Sequence, residues 1–293
     1  MKRTLGWLGT AAMCIVLLVP SALAQLQVNG SAWPALATDS SNRATTTPVS
    51  LPHLVTPVVL PRMSPELALD TYMQRSQQQN STLLGYSDET VMRASLPDYK
   101  QQGEYELKRQ YSAPNTLQFT PVRFSGDGFV KNNVLVRLLQ SEVDHVVKQQ
   151  GPETAITETN YKFSHKSVES INDRMVYVYQ VKPKKKRVGL FKGRIFIDPY
   201  KGTLVRAEGQ MVKSPSIFIK KVEFVQDYAD VDGFTLPTHL RSIAKVRIIG
   251  RTIVDVFHRG YKAVAAQMAQ NSSPTPATQA SGGTTPVSVA PVD

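Results

Sequence analysis

The sequence predicts an α+β domain, a curved antiparallel β-sheet with two helices laid on its inner face. Nine stretches between Gly103 and Lys262 alternate apolar and polar residues with the period of a strand, turn signals of a few residues separate them, and two stretches show helical spacing. Connections this short make strands pair mostly with their sequence neighbours, so one long antiparallel meander is expected.

The 293-residue chain opens with Lys2 and Arg3, an apolar run from Leu5 to Val19, then Pro20, Ser21 and Ala22-Leu23-Ala24. That is the order of a secretory signal peptide over residues 1–24, with cleavage expected after Ala24 and a periplasmic location. The run is short for a spanning helix, which needs roughly 20 residues; left uncleaved, it would tether the chain to the inner membrane. The only cysteine, Cys14, lies within it, so the exported chain is expected to have no disulfide, no thiolate nucleophile and no cysteine-based metal site.

Residues 25–63 contain Pro34, Pro48, Pro52, Pro57 and Pro61 with a Ser/Thr-rich patch and few charges, the composition of a linker. If the signal stayed attached, this segment could reach roughly 130 Å when fully extended. Residues 269–293 carry Pro274, Pro276, Pro286 and Pro291 among Ser, Thr, Gly and Ala, which reads as a disordered tail. The formal charge is +11, and removing Lys2 and Arg3 leaves 32 basic against 23 acidic residues, or +9. Linker and tail together are neutral, so this charge belongs to the folded unit, residues 64–268. Export makes nucleic acid an unsuitable partner; anionic headgroups or an acidic protein face suit such a charge.

Within the domain, Ser64-Pro65-Glu66 offers an N-cap, an N1 proline and a first-turn acid, starting a helix expected to end near Gln79. A second helix is expected over Asn133–Gln150, where Val134, Leu135, Leu138, Leu139, Glu142, Val143, Val146 and Val147 recur at spacings of three and four as its inward stripe, with Gly151-Pro152 as its stop. Gly126-Asp127-Gly128 reads as a turn. The expected strands are Gly103–Tyr111, Thr116–Ser125, Tyr161–Val168, Arg174–Lys182, Phe191–Asp198, Thr203–Lys213, Ser216–Asp227, Thr235–Ile249 and Arg251–Lys262.

Strand faces carry the functional expectation. Met175, Tyr177, Tyr179 and Val181 share one side of their strand; Val205, Ala207, Gly209 and Met211 share another; Ser242, Ala244, Val246 and Ile248 oppose Arg241, Ile243, Lys245 and Arg247. Small residues on an inner face leave volume for a helix, water or an apolar ligand. An acyl chain of about 14 methylenes, fully buried, would gain about 11 kcal/mol at roughly 0.8 kcal/mol per methylene. The stripe of Asn133–Gln150 is then either a movable lid or a permanently docked core helix. The run Lys182-Pro183-Lys184-Lys185-Lys186-Arg187 is expected in an exposed hairpin loop, either simply solvated or meeting an anionic partner.

Catalytic signatures are missing. His53, His145, His165, His239 and His258 are scattered without metal-ligand spacing, and there is no Gly-x-Ser-x-Gly elbow, Walker loop or Gly-x-Gly-x-x-Gly. Asp198, Glu208 and Glu223 sit beside basic residues, as cross-strand pairs do. No enzyme activity, cofactor or metal is expected.

Asn160-Tyr161-Lys162-Phe163, Tyr177-Val178-Tyr179-Gln180-Val181-Lys182-Pro183, Phe191-Lys192-Gly193-Arg194-Ile195-Phe196-Ile197-Asp198, Leu204-Val205-Arg206-Ala207-Glu208-Gly209, Val222-Glu223-Phe224 and Asp232-Gly233-Phe234-Thr235-Leu236-Pro237 occur in an order that resembles the LolA-like outer-membrane lipoprotein-sorting family. The resemblance spans about Asn160–Tyr261. It implies a periplasmic incomplete β-barrel whose concave side is closed by helices and which holds lipoprotein acyl chains or other lipids. The linker, the tail and the basic hairpin depart from that family, and its acyl-handling residues have no one-to-one match here. On the residues and the resemblance together, the candidate ligand-binding set is Tyr177, Tyr179, Val181, Ile195, Ile197, Val205, Ala207, Val222, Phe224, Ala244 and Val246. Lys184, Lys185, Lys186 and Arg187 are the candidate contacts to anionic headgroups or a protein. The alternative is an envelope sensor or adaptor of the same fold with a filled core, which uses the basic hairpin to bind its partner.

Overall fold

The computed structural model describes residues 61–266 except Ile248. The signal segment with Cys14, the linker to residue 60 with His53, and the tail 269–293 lie outside the described residues, as does the inward placement expected of Ile248. α1 (Pro65–Thr82) begins as the sequence predicts, with Ser64 Oγ accepting from the Leu67 N–H at 3.2 Å and Pro65 in the first turn. It runs straight into β1 (Leu83–Leu96), a strand the sequence reading does not anticipate. Then follow β2 (Gln101–Ser112), β3 (Thr116–Gly126), a helical passage of α2 (Gly128–Val130), a π-turn (Lys131–Leu135) and α3 (Val136–Val147), and the short α4 (Gly151–Thr154). The chain finishes with β4 (Tyr161–Ile171), β5 (Arg174–Pro183), β6 (Phe191–Ile197), β7 (Leu204–Met211), β8 (Ile219–Val231), β9 (Phe234–Val246) and β10 (Gly250–Ala265).

The ten strands form one open antiparallel sheet in the order β3-β2-β1-β10-β9-β8-β7-β6-β5-β4. The expected single meander is therefore two, β1–β3 and β4–β10, joined where β1 pairs with β10 through contacts such as Met92↔Val256 and Ala94↔Val254. No local turn encodes this pairing; burying the apolar sides of both strands in the same core does. The connection from β3 to β4 leads from one edge of the sheet to the other, and the helices it contains cover the inner face on the way.

Two helix boundaries differ from expectation. Gly126-Asp127-Gly128 is a helix start, because Asp127 Oδ1 accepts from the Phe129 N–H at 2.7 Å and caps α2 five residues before Asn133. α3 ends at Val147, with Gln149 in the left-handed region at φ 51°, and Gly151-Pro152 opens α4 instead of terminating its predecessor.

Inner-face side chains from the sheet and apolar side chains of α1, α2, the π-turn and α3 form one buried cluster, which includes Ala68, Tyr72, Val130, Val134, Leu135, Leu138 and Leu139. α1 is weakly amphipathic but well fixed: Gln79 behaves like an extra strand residue, accepting from the Thr235 N–H at 2.7 Å and donating to the Thr235 carbonyl at 3.1 Å. Between β6 and β7, Gly193 and Gly209 face each other, and a Cβ on Gly193 would lie 1.9 Å from the Glu208 carbonyl oxygen. Gly193→Ala should therefore cost about 1–3 kcal/mol. Gly128→Ala, in a helix with open space around the added methyl, should be neutral or stabilise by up to about 1 kcal/mol. Urea unfolding of the two variants checks the contrast.

Candidate functional site: the inner face and its charged seam

Ten of the eleven candidate ligand-binding residues meet in the inner cluster. Val181, Ile195 and Ile197 are fully buried, and Tyr177, Tyr179, Ala207, Val222, Phe224, Ala244 and Val246 are between 1% and 4% exposed. Val205 does not join them. Arg206 pairs with Phe196 and Leu204 with Ile197, so Val205 is an extra residue in the ladder, and this bulge moves it to the opposite face against Val176, Val178 and Phe196. Met175, expected on the inner side, is exposed at the start of β5.

The inner face is closed by the chain's own helices. The tyrosine hydroxyls at one end are engaged with the segment leading into α1: Tyr177 accepts from Arg62 Nε at 2.8 Å and donates to the Met63 carbonyl at 2.7 Å, while Tyr179 donates to the Pro65 carbonyl at 2.5 Å. These two side chains anchor the domain entrance.

At the other end, under α3, the apolar surface gives way to a charged cluster absent from the candidate set. Arg109 on β2 is 1% exposed and donates three ways: from Nε to Asp88 Oδ2 at 2.7 Å, from Nη1 to Glu142 Oε1 of α3 at 2.9 Å, and from Nη2 to the Tyr261 hydroxyl at 2.7 Å. Its guanidinium lies 5.0 Å from the centroid of the Tyr86 ring. The Tyr261 hydroxyl donates to the Pro237 carbonyl at 2.6 Å, and Thr90 Oγ1 donates to Asp88 Oδ1 at 2.6 Å. His258 Nδ1 stands 3.3 Å from Asp88 Oδ1 and 3.0 Å from Thr90 Oγ1. Asp88, Thr90, Arg109, His258 and Tyr261 come from three neighbouring strands; Glu142 alone comes from the helix.

Charge in this cluster is fixed by its surroundings. Burial by itself would raise the Asp88 carboxyl, but the His258 hydrogen bond, Arg109 and Thr90 outweigh it and hold the group below the ordinary aspartate value. Arg109 stays charged, because Tyr86, Tyr261, Glu142 and Asp88 overcome its desolvation. Burial and the neighbouring Arg109 lower the His258 imidazole, against the pull of Asp88 and Glu142. Tyr86 is pushed up to about 12, chiefly by burial.

His145 on α3 is also lowered by burial, and its Nε2 has no hydrogen-bond partner. A histidine whose folded value is depressed favours the native state fully above the unfolded value of about 6.5, and this contribution is lost as pH falls below it. Asp88, depressed likewise, loses its contribution only at more acid pH. His258, depressed in the same way, acts in the same window, so thermal midpoints should fall between about pH 7 and pH 5, and His145→Leu should remove part of that decline; melting curves across this range test it.

The basic hairpin is partly tied down. Lys184 Nζ donates to the Glu158 carbonyl, the Lys184 N–H donates to the Asn160 carbonyl at 2.8 Å, and Arg187 pairs with Glu153 of α4 at 3.2 Å. Between loop and α4 is a recess of about 260 Å³ bordered by Glu153, Asn160, Lys184, Lys185 and Arg187. Lys185 and Lys186 are exposed and have no ion pair among the described residues. No group of His, Cys, Asp and Glu side chains among the described residues is placed to hold a metal ion, and no described helix is long and apolar enough to cross a membrane.

No family model matches the chain, and no curated protein matches it. Solved structures similar to it include a DUF1329 family protein from Desulfovibrio piger, at 12% identity over 68% of this chain and 92% of that one, TM-score 0.36. A LolA superfamily protein from Nitrosomonas europaea matches at 11% identity over 66% and 92%, TM-score 0.34. The domain of a putative outer membrane lipoprotein-sorting protein from Vibrio parahaemolyticus matches at 9% identity over 68% and 92%, TM-score 0.36.

Proposed function

We propose that this chain is a non-catalytic binding protein of the bacterial periplasm whose inner face takes up the acyl chain of a lipoprotein or another lipid when α2, the π-turn and α3 move aside. The structure is then the closed form, since the inner residues are covered by helices of the same chain. The observation that carries this reading is the position of the charged cluster, at the seam between α3 and a mainly apolar inner face whose other buried polar side chains, such as Gln226, Ser242 and Thr252, are uncharged. A helix needed only to complete a core gains little from buried ions, which apolar side chains of similar volume often replace without loss. A contact through Glu142, whose side chain is 29% exposed, can instead pass to water as the helix lifts, lowering the cost of opening. The acyl chain would offset the apolar contacts that the helix gives up.

Titration of the exported chain with a dansyl-labelled fatty acid tests this. Saturable uptake is expected, and Glu142→Gln, which weakens closure by about 1 kcal/mol, should bind a few-fold more tightly. Failure of both proteins to take up the probe would overturn the reading. A second reading, in which the domain meets another envelope protein, is favoured by the unpaired lysines of the loop after β5.

A further inference from the structure

We propose that the free edge of β4, with the lysine-rich loop after β5, docks an extended acidic polypeptide segment of a partner protein, which joins the sheet as an additional strand. This deepens the partner reading above and is independent of whether the interior takes lipid.

The sheet has two edges, β3 and β4. That of β3 is blunted: Pro121 removes a donor, the register slips beside it so that Val122 stands unpaired in the ladder, and α3 packs against the strand. β4 offers 11 residues without proline or glycine, paired to β5 along its length, with one irregularity between His165 and Ser167. Lys162, Ser164, His165, Lys166, Val168 and Ser170 are exposed on it. An open edge of this kind presents main-chain donors and acceptors to an incoming strand.

Charge selects the occupant. Residues 161–187 hold eight Lys and Arg against two Asp and Glu, a net +6 of the exported chain's +9. One of the two acids, Glu169, is taken by Arg194 at 3.2 Å, and Glu153 nearby is taken by Arg187. Lys162, Lys166, Lys182, Lys185 and Lys186 form no ion pair among the described residues. Edge lysines deter pairing with a second copy, because two such edges would bring like charges together. A strand rich in Glu or Asp meets no such barrier and gains from every exposed lysine.

The test uses a synthetic 12-residue peptide of alternating Thr and Glu, with Lys replacing Glu in the control, and follows binding by anisotropy and backbone pairing by hydrogen exchange. The acidic peptide should bind, the basic one should not, and exchange at alternate β4 amides should slow. Lys162→Glu with Lys166→Glu should weaken binding at least 10-fold. Binding that leaves β4 exchange unchanged and is lost in Lys185→Ser with Lys186→Ser would overturn strand addition while keeping a loop contact. No peptide binding, with attachment to phosphatidylglycerol vesicles instead, would overturn the acidic partner altogether. Dimerisation through β4 in the absence of peptide would assign the edge to a second copy. The exchange measurement on the unsubstituted chain stands even if a variant fails to fold.

Discussion

Arg109→Ala should lower the free energy of unfolding by about 3–5 kcal/mol, the cost of leaving buried charge without its partner. Asp88 is fully buried and Glu142 partly so, and the same guanidinium also holds Tyr261 and stacks on Tyr86. The loss comes mainly from these stranded partners. Arg109→Met combined with Asp88→Leu, which removes both fully buried charges, should recover much of it. Urea denaturation of the single and double variants is decisive: an Arg109→Ala change below about 1 kcal/mol would mean that water already reaches the cluster. If α3 is a movable cover, Arg109→Ala should also speed exchange at α3 amides relative to α1, because Glu142 is the helix's charged link to the sheet.

Ile195→Ala should cost about 2–5 kcal/mol, since Ile195 on β6 is fully buried in the inner-face cluster and its truncation leaves a cavity. The same variant separates the two functional readings. If the inner face accepts acyl chains, decanoate should raise the thermal midpoint of the native chain and, by filling the cavity, raise that of Ile195→Ala further. In a permanently filled core, the native chain should not respond. Val205→Ala is the internal control, because the bulge in β7 places Val205 on the other face, and it should change neither stability by more than about 1 kcal/mol nor the response to decanoate.

The strands most legible in the sequence were those with one apolar and one polar side. Thr235–Ile249 set Ser242, Ala244 and Val246 against Arg241, Ile243 and Lys245, and β9 buries the first set. β1 was hidden because its inner side reads Asp88, Thr90, Met92, Ala94 and Leu96: two polar groups of the charged cluster interrupt the alternation that would have marked a strand. Arg109 carried a readable signal, since in Gly103–Tyr111 it shares a side with Tyr105, Leu107 and Tyr111. A lone charge on the apolar side of a strand needs partners, but period alone cannot say which residues supply them. Val205 shows the opposite failure: one inserted residue reverses the facing of a side chain, and nothing in an alternating sequence announces a bulge.

By itself the sequence determined the local terms: period-two strands, short turns, the capped start of α1, the α3 stripe, and the concentration of positive charge after Tyr161. These depend on spacing and composition over a few residues. Tertiary structure alone decided that β1 closes against β10, that Val205 turns outward, that α3 is pinned through Glu142 to Arg109, and that the open sheet ends on β4. Each of these joins residues far apart in the chain, where no local preference acts and the outcome is set by burying apolar faces together and by finding partners for the charges buried with them.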